Sequence, residues 1–326
     1  MTVAAGERRF LAGTLLVVGA AVCFGTLGPV SRFAYQAGVT PLGFVTWRSL
    51  IGAAVLGGWL LVLRARGLRL VDLRRIPRRE AAFLVSGGAA NGLLNLAMFM
   101  AFQRISIALA LLTFYTYPAI VGVAGTISGR ERMDATRSVA LILALGGMTL
   151  VVVGQLGSGG VASLDLVGLG LAVGAALFQV VYLVTARGGY PSVPARQATF
   201  AIHVVSVACF LVVGAVGGAL ASIWAPLGRP DAWPDLLVAG IVGAAVPTFL
   251  FVAGVRLIGA VRTSILMLLE PVVGASLAAL LLSEGLVPIQ VAGGAVVLAG
   301  AALVQRRSGR VADGGVGPVV AEGDAG

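Results

Sequence analysis

Lysine is absent from this 326-residue sequence, histidine occurs once, at His203, and cysteine only twice, at Cys23 and Cys209. Each shortage closes off a class of function. A chain without lysine has no GxxxxGK phosphate loop, so ATP is not its direct energy source. One histidine and two cysteines without CxxC spacing supply no metal cluster of the usual kind, and neither HExxH nor GxSxG occurs. No cofactor is expected, and the cysteines, both inside apolar runs, read as small core residues. Charge is scarce as well, at 11% of residues, while hydrophobic residues make up 59% and the mean hydropathy is +1.02. A soluble globular chain holds nearer ~45–50% apolar residues. The composition is that of a polytopic membrane protein.

Acidic residues number 13 against 23 basic ones, every one of them arginine, and the pI is about 11.1. Such a value invites a nucleic-acid reading, but these arginines flank apolar runs instead of forming a continuous basic surface. Lipid headgroups are the expected partners, and nucleic acid is not. Glycine, at 47 residues, is abundant. It recurs in small-xxx-small pairs, Gly88/Gly92, Gly125/Gly129, Gly170/Gly174 and Gly214/Gly218, which let helix backbones approach closely in a membrane.

Ten apolar runs approach the roughly 20 residues a spanning helix needs. They cover about 11–30, 41–63, 81–102, 106–128, 138–155, 164–186, 197–222, 235–256, 263–283 and 288–304; the fifth and tenth are short. Unbroken intrahelical hydrogen bonding within each run is the expected architecture, because hydrocarbon offers the backbone no other partners. Arg8 and Arg9 ahead of the first run give it the look of a signal peptide, but the run is long and contains Gly28-Pro29 instead of a small-x-small exit, so it is expected to be retained. With ten spans and the N-terminus inside, nineteen arginines fall on cytoplasmic segments and only Arg32, Arg104 and Arg229 outside. Both termini are therefore expected in the cytoplasm, residues 1–10 forming a short lead and residues 308–326 a Gly-rich, disordered tail.

Sliding the chain by 153 positions pairs Pro41 with Pro194, Gly87 with Gly240, Ile105 with Ile258, Pro118 with Pro271, Glu131 with Glu284 and Gly147 with Gly300. The chain is two copies of one five-span unit, over 11–155 and 164–304. An odd number of spans per unit turns the second copy upside down. The expected fold is an all-α membrane protein of ten transmembrane helices arranged as two inverted five-helix repeats, an arrangement that characterises transporters.

These residues carry a family resemblance. Phe24-Gly25 in the first span, Trp47-Arg48 in the second, Tyr117-Pro118 followed by Glu131, and Glu270-Pro271 followed by Glu284 resemble, in order and spacing, the drug/metabolite transporter superfamily of the EamA type. The resemblance covers residues 11 to 304. It implies an inner-membrane carrier of ten helices with both termini inside, usually an exporter of small metabolites such as amino acids.

Within this frame a few polar residues stand out. Glu270 lies roughly 10 Å into its span, where an ionised carboxylate costs several kcal/mol. It is either a proton carrier or ligand for a substrate ammonium group, or a structural acid serving backbone groups freed by Pro271. The repeat sets Tyr117 opposite it, and this asymmetry favours function. Tyr117 shares a helix face with Thr113, and Tyr115 and Thr116 add hydroxyls beside them. Asn91 and Asn95, four apart, read as helix glue or as a cavity wall. Arg48 is a candidate for substrate or gate chemistry, or a side chain that snorkels to the interface; Trp47 reads as an interfacial anchor. Gln179 and Tyr182 are cavity candidates. His203 reads first as a structural group. Glu131 and Glu284, with Pro118 and Pro271, are expected at helix ends or gates.

The expected function is secondary transport of a small metabolite, an amino acid or similar, in the efflux direction by alternating access. Protons are the candidate coupling ion, lipid the surroundings, and the protein a monomer or homodimer. The competing readings are a membrane-embedded enzyme acting on a lipid-linked substrate, which would want several ionisable groups at one interface, and a scaffold that transports nothing.

Overall fold

A computed structural model describes residues 2–105, 107–127, 134–155, 165–282 and 287–311, and every regular element among them is helical. In chain order these are α1 (Thr2–Gly25), α2 (Leu27–Gln36), α3 (Pro41–Ala65), α4 (Arg78–Arg104), α5 (Ile107–Phe114), α6 (Tyr117–Ile127), α7 (Ala135–Gln155) and α8 (Leu166–Gly188). The second half continues with α9 (Ala195–Val216), the short α10 (Leu220–Trp224), α11 (Trp233–Gly240), α12 (Val246–Ile258), α13 (Ala260–Met267), α14 (Glu270–Leu282) and α15 (Pro288–Val311). Six stretches are long and apolar enough to cross a membrane: Gly6–Gln36, Pro41–Ala65, Arg78–Arg104, Leu166–Gly188, Ala195–Val216 and Pro230–Ile258. Two shorter apolar helices, Ala135–Leu150 and Pro288–Leu303, match the short fifth and tenth runs. The fourth and ninth runs are not continuous helices. Each is broken in the middle, into α5 and α6 and into α13 and α14, which corrects the expectation of unbroken backbone bonding.

Large apolar side chains point outward along the bundle, among them Leu61, Ile142 and Leu280, which is what hydrocarbon surroundings permit and water would not. The helix starts carry ordinary signals. Thr40 caps α3 by accepting from the Gly43 N–H at 3.1 Å, with Pro41 as the first helical residue. Asp165 caps α8 by accepting from Val167 and Gly168 N–H and also pairs with Arg104 at 2.9 Å.

The repeat is visible in the packing of glycines. Gly147 is so close to α15 that a Cβ there would meet the Gly293 carbonyl at 2.6 Å and the Val297 nitrogen at 2.7 Å. Its mate Gly300 would meet the Ala140 carbonyl at 2.8 Å and the Ala144 nitrogen at 3.0 Å. Ala140 and Gly293, and Ala144 and Val297, are themselves 153 positions apart, so α7 and α15 pack about a pseudo-two-fold axis. The same reciprocity relates α1 on α12 to α8 on α4. Gly13 faces Leu257 and Ile258, and Gly168 faces Arg104 and Ile105. Gly13 and Gly168 are 155 positions apart, so the register slips by two residues in the first helix of each unit.

Gly88 and Gly92 do bring α4 against α9, with Val205 and the Ser206 backbone as neighbours. Among the described residues, nothing lies within 4 Å of a Cβ at Gly170 or Gly174, so the packing role expected of that pair is not seen there. Gly214 packs on Ile223, whereas Gly218 forms a turn with φ of +66° beyond the end of α9. Gly129 lies outside the described residues, so the packing of the Gly125/Gly129 pair is not placed.

Two outcomes follow. Gly147→Ala or Gly300→Ala forces a methyl onto neighbouring backbone and should cost about 1–3 kcal/mol, the scale of overpacking a core, whereas Gly170→Ala and Gly174→Ala should be neutral; thermal unfolding of the purified variants in detergent checks the order. Bonds to the Gly168 N–H, and then to Arg104 and Val167, hold the Asp165 carboxyl below its usual range. Its depressed pKa in the folded state means that this cap stabilises above pH ~4 and is lost as the pH falls further, so Asp165→Ala should lower the melting temperature at pH 7 and leave it nearly unchanged at pH 3.

Candidate functional site

The two broken runs define the site. Pro118 and Pro271 lack the N–H that would bond the Phe114 and Met267 carbonyls four residues back, and each disfavours helical geometry at the preceding residue. The chain responds alike in both halves. Tight i→i−3 bonds, Thr116 N–H to Thr113 at 3.3 Å, Leu268 to Ile265 at 3.2 Å and Leu269 to Leu266 at 3.1 Å, close one helix before the next begins. The new helices start at Tyr117 and at Glu270, repeat mates placed at the breaks.

Glu270 keeps part of its surface accessible, unlike the fully enclosed Tyr115 and Tyr117 nearby. The Tyr115 hydroxyl lies beside its carboxylate. Tyr115 is therefore a direct neighbour of the acid, and Tyr117 instead lies beside the Gln179 side chain of α8. Phe114, Tyr115 and Tyr117 form one aromatic cluster, with centroids 5.2 to 6.3 Å apart. Gly25 explains the Phe24-Gly25 pair: a Cβ there would meet Val273 at 2.9 Å and the Glu270 carbonyl at 3.1 Å, so the end of α1 rests directly on the first turn of α14.

Arg48 does not snorkel. It is 4% exposed, and its guanidinium is held from both halves of the chain. Nε and Nη2 donate to the Gly243 carbonyl at 3.1 and 2.5 Å, and Nη1 donates to Asn95 Oδ1 at 2.6 Å. Asn95 donates to the Asn91 carbonyl at 2.7 Å, Asn91 to Ser206 Oγ at 3.1 Å, and Ser206 to the Gly88 carbonyl at 3.0 Å. The two asparagines act as glue: Asn91 ties α4 to α9, and Asn95 orients the cation. Glu270 is the carboxylate whose charge reaches Arg48, and the two form no direct ion pair among the described contacts. Tyr35 and Tyr182 also lie in the field of Arg48, and their buried hydroxyls have no protein partner. Tyr182 stacks on Phe251 at 5.2 Å. His203 is buried between Gly52 and Ala244 near the same cation.

Among the sequence candidates, Arg48, Asn91, Asn95, Tyr182 and Glu270 come together around this centre, and Tyr117 with Gln179 flanks it. Thr113 supplies a carbonyl to the first break, accepting from Thr116 Oγ1 at 2.7 Å. Glu131 and Glu284 lie outside the described residues. Trp47 packs on Trp233 and Trp224, with centroids at 5.0 and 6.0 Å, and donates to the Ile223 carbonyl at 2.7 Å, so it anchors α3 to the second half. Sequence reasoning missed Tyr35, Ser206 and Gly243. The available signal for Gly243 was Pro247, which frees the carbonyl four residues before it.

Arg48 has five N–H donors, and the bonds to Gly243 and Asn95 use three of them. Two remain for an anion, and Glu270 retains acceptor capacity for a cation. Among the described residues no group of three His, Cys, Asp or Glu side chains is placed to hold a metal ion.

A buried cation in α3 and a carboxylate at one of the two helix breaks, inside a multi-pass bundle of two repeated units, are features of a membrane transporter of small molecules. The chain belongs to the EamA-like transporter family, whose profile matches twice, over residues 11–153 and 166–306. No curated protein matches it. Among solved structures, one whose title reads only "Crystal structure of protein" shares the fold, with a TM-score of 0.71 at 20% identity over 90% of this chain and 96% of that one.

The network ranks its members. Asn95→Leu leaves a buried arginine N–H without its acceptor and should cost about 1–3 kcal/mol. Asn91→Ala removes a bond from Ser206, which still has the Gly88 and Ile202 carbonyls to donate to, so its cost should be nearer ~0.6 kcal/mol. Thermal unfolding of the two variants would contradict this reading if the order reversed.

Proposed function

We propose that this protein is a secondary carrier that exports a small metabolite carrying both an anionic and a cationic group, of the amino-acid class or similar, by alternating access across the cell's inner membrane. The reading rests on one observation: Arg48 and Glu270 lie within electrostatic reach yet are not joined, each with capacity left for a ligand. A ligand carboxylate would take the remaining Arg48 N–H groups and its ammonium would take Glu270, with the Tyr35 and Tyr182 hydroxyls completing the polar contacts. The two inverted units then exchange conformations about this centre. Glu270 exchanges its load, substrate ammonium or proton, between the two states. The arginine asymmetry supports cytoplasmic termini. The membrane potential, at ~2.3 kcal/mol per charge per 100 mV, is large enough to drive such a cycle.

The test is flux in proteoliposomes with a panel of labelled amino acids and related metabolites, under imposed pH and voltage gradients. Wild type should move at least one member of the panel. Glu270→Gln should reduce that flux by at least roughly tenfold, the worth of one charged contact, and flatten its dependence on pH. Unchanged flux and pH profile in Glu270→Gln would remove Glu270 from the mechanism, and silence across the whole panel under every gradient would count against the carrier reading itself.

A further inference from the structure

The acceptor that holds Arg48 is unusual, because a carbonyl inside a helix normally bonds the N–H four residues on. For Gly243 that residue is Pro247, which has no N–H to give, and whose ring crowds the same carbonyl. The helix absorbs this with a π turn over Ile241–Ala245, in which the Val246 N–H reaches back to the Ile241 carbonyl. Gly243 packs against Leu27, whose terminal methyl lies 2.3 Å from where a Cβ would be and would have to move for one. The freed carbonyl turns toward α3 and takes both Nε and Nη2 of Arg48, 195 positions away in the chain.

We infer that Pro247 is a positioning residue for the binding site: it holds Arg48 for its ligand by denying the Gly243 carbonyl the N–H that an α-helix would place four residues on. The inference deepens the carrier reading and rests on it for the role of Arg48, but the positioning itself can be read without transport. The first half has no such device. The mate of Pro247 is Leu94, and the mate of Arg48 is Ala201, so the proline and the arginine occur together in the half-to-half contact where each is needed and are both missing from its symmetric counterpart.

Pro247→Ala restores the missing N–H and gives Gly243 a helical partner, so the variant should fold. Two measurements on the full-length protein in detergent test the idea. The first is labelling with phenylglyoxal, located by peptide mass mapping: Arg48 should react roughly tenfold faster in Pro247→Ala than in wild type, the factor that one charge-assisted bond represents, while labelling of the exposed arginines at 74 and 75 stays constant. The second is a thermal double-mutant cycle: the effect of Pro247→Ala should differ between the wild-type and Arg48→Met backgrounds, because the bond it disturbs is already gone in the latter. Unchanged Arg48 labelling, or strictly additive shifts in melting temperature, would overturn the inference and leave the carrier reading standing. For any amino acid shown to be carried, Pro247→Ala should raise KM with little change in turnover. If nothing is carried, the labelling and the cycle still decide whether Pro247 holds Arg48.

Discussion

The interaction on which the rest depends is the arginine cation buried at Arg48. In an apolar bundle an unpaired guanidinium would cost many kcal/mol, so the fold must bring acceptors to it or the residue must leave for the interface. Here the acceptors come from separate elements and from both halves: a carbonyl of the π turn before α12, and the amide of Asn95 on α4. Because neither acceptor is local, the charge is satisfied only when the two units are assembled correctly. A polar group that would destabilise a loosely packed bundle instead favours one arrangement of it.

The same logic governs the two helix breaks. A proline inside a spanning helix leaves backbone groups that lipid cannot serve, so breaks survive only where protein surrounds them. Both fall where neighbouring helices approach closely: Gly25 lets α1 rest on the first turn of α14, and Tyr117 is covered by α8 through Gln179. The breaks therefore place helix starts inside the bundle, in positions the repeat makes equivalent. What differs between them is the residue in front of the proline, a phenol in one half and a carboxylate in the other.

Much of this frame was legible in the sequence. The offset of 153 positions, read from pairs such as Gly147 with Gly300, reappears as reciprocal backbone contact, because a glycine at a close approach cannot be exchanged without cost and so marks the contact in both copies. Pro118 and Pro271 marked the breaks, although the sequence was read as continuous helices there; hydropathy is blind to a missing N–H inside an apolar run. The partners of Arg48 were not legible. A side chain that bonds a carbonyl 195 positions away leaves no periodicity, and the local pattern around Arg48 suits snorkelling equally well. Gly170 and Gly174 show the converse error. The motif was there, but a small-xxx-small pair only permits close approach, and no helix among the described residues takes it up.

The pseudo-symmetry then separates two kinds of residue. Those repeated in both halves, such as Pro118 with Pro271 and Gly147 with Gly300, are answers to the common problem of packing one five-helix unit against its inverted twin. Those present once, Arg48, Pro247, Asn95 and Glu270, break that symmetry, and they are concentrated at one centre, where Asn95 and the carbonyl freed by Pro247 hold Arg48 within electrostatic reach of Glu270. Two inverted units with identical interiors would offer a ligand two equivalent half-sites of the same charge. Placing the cation on one unit and the carboxylate on the other gives the centre a dipole, which two identical interiors related by the pseudo-two-fold could not have. That polarity comes only from residues the twin does not share, which is why the repeat, read alone, points to the packing and not to the centre.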